Sequence, residues 1–126
     1  MTETSHDTLH DLHGVRVLIL AADGPKLATE SDSQTFLSAA WEHDAAMLAI
    51  PVSRLDPAFF QLSTRLAGAV LQKFVNYRVR LAVVGDIATF TRASNALRDF
   101  IVETNRGRSA WFVADLDELK QRLARP

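Results

Sequence analysis

The stretch from Asp56 to Asp86, DPAFFQLSTRLAGAVLQKFVNYRVRLAVVGD, decides the fold, because it predicts one long helix that leads directly into one buried strand. Asp56 is a good N-cap residue, and Pro57 suits the first helical position, where its missing N–H costs nothing. The helix is expected to reach about Tyr77. The apolar run from Arg80 to Asp86 is typical of a strand that is buried on both faces.

The rest of the chain alternates between strand and helix patterns around this stretch. The order is β-β-α-β-α-β-α-β-α, which predicts an α/β fold with a mostly parallel sheet of about five strands and right-handed crossovers. Residues 1–7 are expected to form a disordered tail, and residues 8–126 a single domain. The expected elements before the long helix are two strands around a turn at His13-Gly14, a helix from Asp32 to His43 capped by Ser31 and Gln34, and a strand within the apolar run from Ala45 to Val52 that ends at Pro51. Those after it are the strand just described, a polar connector IATFTRA, a helix from Asn95 to Asn105 with Ser94 as N-cap and Gly107 as closing residue, a strand from Ser109 to Ala114, and a final helix to Ala124 capped by Asp115 and Glu118.

The long helix is apolar over more of its circumference than a one-sided helix needs. When the residues from Phe59 to Tyr77 are projected at 100° each, the apolar side chains cover roughly two-thirds of the circle. We therefore expect a second surface, such as a partner subunit, to cover the excess, and we predict a homodimer. The predicted interface residues are Phe60, Thr64, Gly68, Leu71, Gln72 and Val75.

Composition excludes several classes of function. The 126 residues carry a net charge of −1 and include no cysteine, which removes disulfides, thiolate nucleophiles and cysteine-rich metal sites. The charge is uneven, because residues 1–63 carry −6 and residues 64–126 carry +5. The start of the chain is acidic rather than basic and apolar, and no apolar run approaches the roughly 20 residues that span a bilayer. We therefore expect a cytoplasmic protein that binds neither membrane nor nucleic acid.

Polar residues follow the predicted parallel strands at their carboxyl ends, where open α/β sheets usually bind ligands. We predict a ligand-binding edge built from Ser53, Arg54, Asp86, Arg92 and Ser94. The free N–H groups of the helices that begin near Pro57 and Asn95 would point to the same edge and could receive an anion. An ion pair of Asp86 with Arg54 or Arg92 is an equally good structural explanation for these charges.

Recognised catalytic and cofactor motifs are missing from the sequence. It holds no phosphate-binding GxxxxGK[ST] loop, dinucleotide GxGxxG, zinc HExxH or GxSxG elbow. His6, His10 and His13 would share a face only in a helix, and their segment is more typical of an edge strand. We predict no catalytic residues, no metal and no cofactor. The arginines at 78, 80, 106 and 108 are interpreted as solvated ends of strands and helices.

Two segments resemble a bacterial family catalogued only as a domain of unknown function, number four-one-eight-zero. They are IPVSRLDPAFFQLSTRLAGAVLQKFVNYRVRLAVVGDI and SNALRDFIVETNRGRSAWFVADLDEL. The marks that carry the resemblance are DPAFF, LAG, QKFVNYR, the GD after the strand, and NRGR before WFVADLDEL. The resemblance covers most of the chain and implies no activity.

The order of elements is also similar to that of STAS domains, the fold of anti-sigma-factor antagonists. In those domains the loop between the third strand and the second helix carries a phosphorylatable serine and meets a kinase partner. Ser53 stands in the corresponding loop here, although the Asp-Ser-Ser type of signature is missing. The resemblance implies a regulatory protein partner.

Two functions are compatible with these observations. The first is a non-enzymatic regulatory or protein-interaction domain. The alternative is a small anionic-ligand binder or enzyme with its site at the carboxyl ends of the parallel strands.

Overall fold

The computed structural model describes residues 6–125, which form an α/β fold with one mixed five-stranded sheet and five helices. The prediction of an α/β fold with a mostly parallel sheet is confirmed. The strands are β1 (Thr8–Leu12), β2 (Val15–Ile19), β3 (Met47–Pro51), β4 (Arg80–Val84) and β5 (Ala110–Val113). The helices are α1 (Ser33–Glu42), α2 (Leu66–Asn76), α3 (Ala88–Arg92), α4 (Asn95–Arg106) and α5 (Leu116–Ala124).

The first two strands form the hairpin that the sequence predicts. His13 and Gly14 both have positive φ, at 53° and 85°, which is the geometry of the two-residue turn that matches strand twist. The Asp11 carboxylate accepts the Gly14 N–H at 2.9 Å and so holds the turn closed. As a result β1 pairs with β2 in antiparallel register, with Leu12 opposite Val15.

Strands β2 to β5 are parallel and lie side by side in chain order. When every right-handed crossover steps in the same direction across a sheet, all the crossover helices lie on one face. The main core has this arrangement, since strand residues such as Leu48 and Leu81 pack there with Phe36 of α1, Phe74 of α2 and Leu97 of α4.

The opposite face of the sheet has a smaller core, covered by α5. Leu119 of α5 is fully buried there with Val17, Met47 and Ala82. The helix contacts both β5, which it follows, and β1 at the far edge. It therefore crosses the sheet and joins its two edges.

The prediction of one long helix from Asp56 is wrong. Two short 3₁₀ turns, Pro57–Phe60 and Leu62–Thr64, precede α2, and Arg65 between them and the helix is left-handed at φ 63°. Asp56 does cap as expected, because its carboxylate accepts the Ala58 N–H at 2.9 Å. The break directs Phe59 and Phe60 into the core, where each is at most 4% exposed.

Because residues 57–65 are not part of α2, the helix is not apolar over two-thirds of its circumference as predicted. The buried residues of α2 itself are Leu66, Ala67, Val70 and Phe74. They lie at helical spacing along one side, as in an ordinary helix that covers one sheet face. A partner surface on α2 must therefore be formed by the side chains of the helix that are exposed.

Three local predictions differ from the structure. The capping box predicted at Ser31 and Gln34 lies instead at Thr29 and Asp32, on the 3₁₀ turn Glu30–Asp32 that precedes α1. The Asp32 carboxylate accepts the N–H groups of Ala28 and Thr29 at 2.9 Å each. The predicted connector after β4 contains the short helix α3. Gly107 ends α4 at φ −85°, without the left-handed conformation of a typical closing glycine.

The other predicted caps are confirmed. The Ser94 hydroxyl accepts the Leu97 N–H at 3.1 Å at the start of α4. At the start of α5 the Asp115 carboxylate accepts the Glu118 N–H, and the Glu118 carboxylate accepts the Ala114 N–H, both at 2.8 Å. The first of these bonds satisfies an N–H group that the helix itself leaves without a partner, and the second joins the helix to the residue that follows β5.

Most of the predicted tail lies outside the described residues. Of residues 1–7, only His6 and Asp7 are described. The Asp7 carboxylate accepts the N–H of Ala21 at 2.8 Å, just beyond the end of β2. Asp7 is therefore attached to the sheet edge.

Candidate functional site

Ser53 and Arg54 lie at the carboxyl edge of the sheet as expected, and both bind the backbone of the loop that follows β2. The Ser53 hydroxyl donates to the Ala22 carbonyl at 2.7 Å. The Arg54 guanidinium donates to the Pro25 carbonyl at 2.8 Å and to the Ala21 carbonyl at 2.9 Å. Arg54 is only 8% exposed, so its charge is used to hold this loop.

The other three predicted ligand residues stand on the next loops of the same edge. Asp86 is exposed, and its carboxylate accepts the Ala88 N–H at 2.9 Å at the start of α3. Arg92 is exposed at the end of α3, and Ser94 caps α4. Among the described residues Asp86 forms no ion pair with Arg54 or Arg92, so the pairing suggested by the sequence is absent.

Two of the cavities near this edge lie on opposite faces of the sheet. One, of about 320 Å³, is almost entirely apolar, with Ile19, Ala49 and Val84 in its wall. The other, of about 270 Å³, lies between Asp86, Thr91 and the end of β5. Ser94 lies in the wall of another cavity, of about 480 Å³, together with Phe60 and Phe90. Asp86 and Ser94 thus line different cavities, and neither of these two contains Ser53, Arg54 or Arg92. Their ligand-binding role stays a prediction.

The predicted interface residues are placed in two ways. Phe60 is buried and stacks on Phe90 with ring centroids 4.4 Å apart. The remaining five are on the surface or half-buried, and Gly68, Leu71, Gln72 and Val75 follow one another along α2 at helical spacing. Thr64 is exposed in the turn before the helix, where its hydroxyl contacts the Ala58 and Gln61 carbonyls at 2.7 Å.

An exposed aromatic pair stands beside this stripe. Trp41 near the end of α1 and Tyr77 just after α2 meet edge to face, with ring centroids 5.4 Å apart. Trp41 is 44% exposed, Tyr77 50% and Val75 47%. We name the surface formed by Trp41, Leu71, Val75 and Tyr77 the α1–α2 patch.

A cluster of arginines around Trp111 was not anticipated from the sequence. The guanidinium carbons of Arg80 and Arg122 lie 4.7 and 4.6 Å from the centroid of the indole ring. Burial, with a smaller effect of the nearby Arg108 charge, lowers the pKa of Arg80 from its ordinary value. Arg80 is therefore not the solvated strand end that its sequence context suggested. The NRGR segment close before Trp111 indicates only that Arg106 and Arg108 lie near this ring in sequence, not that Arg80 and Arg122 reach it.

Metal and membrane sites were also sought in the described residues. Within residues 6–125, no three His, Asp or Glu side chains are grouped closely enough to hold a metal ion. No helix in that range is both long and apolar enough to cross a membrane.

Comparison with known proteins gives one match. Searches of curated proteins and of solved structures each found no match to the chain, so the likeness to STAS domains stays a prediction. The family model for the Domain of unknown function (DUF4180) matches residues 12–123, from the end of β1 to the last turn of α5. The chain therefore belongs to the DUF4180 family.

Proposed function

We propose that this protein is a non-enzymatic regulatory or protein-interaction domain of a cytoplasmic bacterial protein, and that it acts as a homodimer through the α1–α2 patch. The observation that carries the proposal is the grouping of exposed apolar side chains at the ends of these two helices. Large exposed apolar groups that lie together mark interaction surfaces, whereas single ones do not. Aromatic residues are also the type most enriched in interface cores.

The geometry of α2 supports the same surface. A Cβ built on Gly68 meets no atom within 4 Å, so this position is open and lets another backbone approach. Leu71 and Val75 follow on the same side of the helix, and Gln72 beside them donates to the Asn76 side chain at 2.9 Å. The stripe is apolar with a polar margin, as interface surfaces usually are.

A second copy of the chain is the partner that best fits the charges near the patch. Glu42 and Asp44 follow Trp41, whereas Lys73 and Arg78 flank the end of α2. In a two-fold interface the same surface is present on both subunits, so a surface that carries both signs can be complementary to itself. Ser53 and Arg54 at the carboxyl edge of the sheet, by contrast, already donate their hydroxyl and guanidinium hydrogen bonds to backbone carbonyls of their own chain.

The test is the substitution Val75→Asp, with Val102→Asp as matched control. Both valines are exposed on helices, at 47% and 54%, but Val102 lies on α4 outside the patch. A charge buried without a partner costs more than 1.4 kcal/mol, so Val75→Asp should weaken the dimer by at least about tenfold. Sedimentation equilibrium over a range of concentrations measures the dissociation constant of each variant.

At about 100 μM even a weak dimer with a dissociation constant in the micromolar range would form. A wild-type chain that stays monomeric at this concentration would therefore contradict the homodimer. An equal weakening by Val102→Asp would show that the patch is not the interface.

A second candidate is a small-ligand site at the carboxyl edge of the sheet, and the 270 Å³ cavity beside Asp86 favours it. The carboxylate in its wall can orient a hydroxyl group of a ligand, although it repels an anion. A thermal-shift screen of small metabolites, repeated on Asp86→Ala, tests this candidate. The candidate is eliminated if no compound raises the melting temperature of the wild type. It is also eliminated if every compound that does so raises the melting temperature of Asp86→Ala by the same amount.

A further inference from the structure

The cluster around Trp111 lies on the sheet face opposite to α1 and α2, because Trp111 packs in the smaller core with Leu119 of α5. Its indole N–H donates to the Gly107 carbonyl at 2.8 Å, which fixes the ring beside the NRGR segment. Arg80 reaches the ring from β4 and Arg122 from α5. Two positive charges therefore share one aromatic ring.

A small cavity of about 180 Å³ opens beside this ring. Its walls are made by Asn105, Arg106, Gly107, Arg108, Trp111, Arg122 and Arg125. Four of these seven residues are arginines and none is acidic. Among the described residues, the only ion pair of these arginines is between Arg106 and Glu103, at 3.2 Å, and both of those side chains are largely exposed.

The positive charges around Trp111 are incompletely satisfied by the protein. Nη2 of Arg80 and Nε of Arg122 are buried and have no hydrogen-bond partner among the described residues. Arg80 Nε donates to the Arg108 carbonyl at 2.8 Å, and Arg122 Nη2 donates to the Asn105 carbonyl. The first bond holds the Arg80 guanidinium against Trp111, and the second holds the Arg122 guanidinium in the cavity wall, but both acceptors are neutral. Charges that converge in this way repel one another unless an anion offsets them.

We propose that this cavity is an anion site that binds a phosphate group, either as inorganic phosphate or as the head of a small phosphomonoester. Arginine presents its donors in a planar fork that matches phosphate oxygens, and Arg108, Arg122 and Arg125 together suit a doubly charged anion. The volume lies below the roughly 300 Å³ at which pockets for whole drug-sized ligands begin. Only the charged head of a ligand enters, and the rest stays outside. This site goes beyond the proposed interaction function and does not depend on it.

The two tryptophans, Trp41 and Trp111, provide a local readout of binding. In a ¹⁵N-labelled chain each indole N–H gives its own NMR signal, and Trp41→Phe assigns them. Titration of the wild type with inorganic phosphate, and separately with glycerol 3-phosphate, should shift the Trp111 signal along a saturating curve. The Trp41 signal serves as internal control, and sodium acetate at matched ionic strength controls for a single negative charge.

The variants Arg108→Gln and Arg125→Gln test the assignment of the site. Both side chains are exposed, so their replacement leaves the core in place, and retained signal dispersion checks the fold. Each should weaken phosphate binding by about tenfold, the effect of losing one charged hydrogen bond. The control Lys120→Gln removes the same charge from α5 outside the cavity and should leave the affinity unchanged.

Tighter binding of glycerol 3-phosphate than of inorganic phosphate would support the site with a phosphomonoester as ligand, and equal binding would support it with phosphate itself. The proposal is overturned if the Trp111 shift does not saturate, if acetate binds as tightly as phosphate, or if Lys120→Gln weakens binding as much as Arg108→Gln.

Discussion

The same substitution, glycine to alanine, should change stability in opposite directions at two positions of this fold. Gly68 lies inside α2, and a Cβ there meets no atom within 4 Å. Gly85 follows β4 at φ 141°, and a Cβ there would lie 2.8 Å from Cγ2 of Val52. The two variants add an identical methyl group, so any difference between them reports the local structure.

The expected magnitudes follow from these two environments. Alanine at Gly68 restricts the unfolded chain and suits a helix, so the free energy of unfolding should rise by about 0.5 to 1 kcal/mol. Alanine at Gly85 must adopt a backbone conformation that costs about 1 to 3 kcal/mol, and it also collides with Val52. We therefore expect Gly85→Ala to lower the free energy of unfolding by at least about 2 kcal/mol.

Urea unfolding followed by circular dichroism measures both changes, and it should be run at a low and a high protein concentration. At low concentration Gly68→Ala should raise the urea midpoint without changing the slope. At high concentration the gain should shrink if a second copy approaches α2 closely at Gly68, because the added methyl group then meets the partner. A loss of stability in Gly68→Ala at low concentration would refute the helical, open placement of this residue. A neutral effect of Gly85→Ala would refute the tight approach to Val52.

Two further substitutions test residues whose side chains bind backbone groups. Arg54→Leu should lower the free energy of unfolding by about 2 to 3 kcal/mol, because the buried Ala21 carbonyl and the Pro25 carbonyl lose a charged donor. Arg92→Leu on the exposed end of α3 should change it by less than about 0.5 kcal/mol, and thermal unfolding measures both effects. Hydrogen bonds from the N–H groups of Ala28 and Thr29 hold the pKa of the Asp32 carboxyl below its ordinary value of 3.8. A lowered folded-state pKa contributes stability that is present above 3.8 and is lost as the pH falls through the lower value. The stability advantage of the wild type over Asp32→Asn should therefore narrow in acid unfolding curves below pH 3.8, and a constant difference would contradict this role.

The regular elements were predictable because their signals are local. The turn at His13-Gly14, the cap at Ser94 and the cap of α5 at Asp115 and Glu118 all depend on residues within three or four positions of one another. The apolar runs of β3, β4 and β5 mark strands buried on both faces, which is typical of a parallel sheet. Together these signals define the alternating order of the fold.

The break before α2 was not predictable from local signals. The residues from Phe59 to Asn76 are compatible with helical spacing, and no glycine or proline stands at the point where the chain turns. The left-handed Arg65 is held in place because Phe59 and Phe60 pack in the core, with Phe60 stacked on Phe90 from a distant part of the chain. Tertiary packing of this kind overrides local preference.

The candidate sites were predictable only in part. The alternating order of elements predicts that Ser53, Asp86 and Ser94 lie at one edge of the sheet, and they do. The backbone carbonyls that bind Ser53 and Arg54, however, belong to a loop whose path the sequence does not define. The cluster at Trp111 depends on α5 folding across the second face, since only then does Arg122 reach the ring that Arg80 contacts from β4. Nothing in the spacing of these residues indicates that contact.

The position of α5 also has a consequence for how the chain folds during synthesis. The ribosome delivers β1 to β4 first, and the helices α1, α2 and α4 can cover one face of the growing sheet as they emerge. The other face, with Val17, Met47 and Ala82, has its cover only when Leu116–Ala124 has been made. A nascent chain stalled before that segment would present a bare apolar sheet face to the cell, so this fold should depend on chaperones until Leu116–Ala124 has emerged.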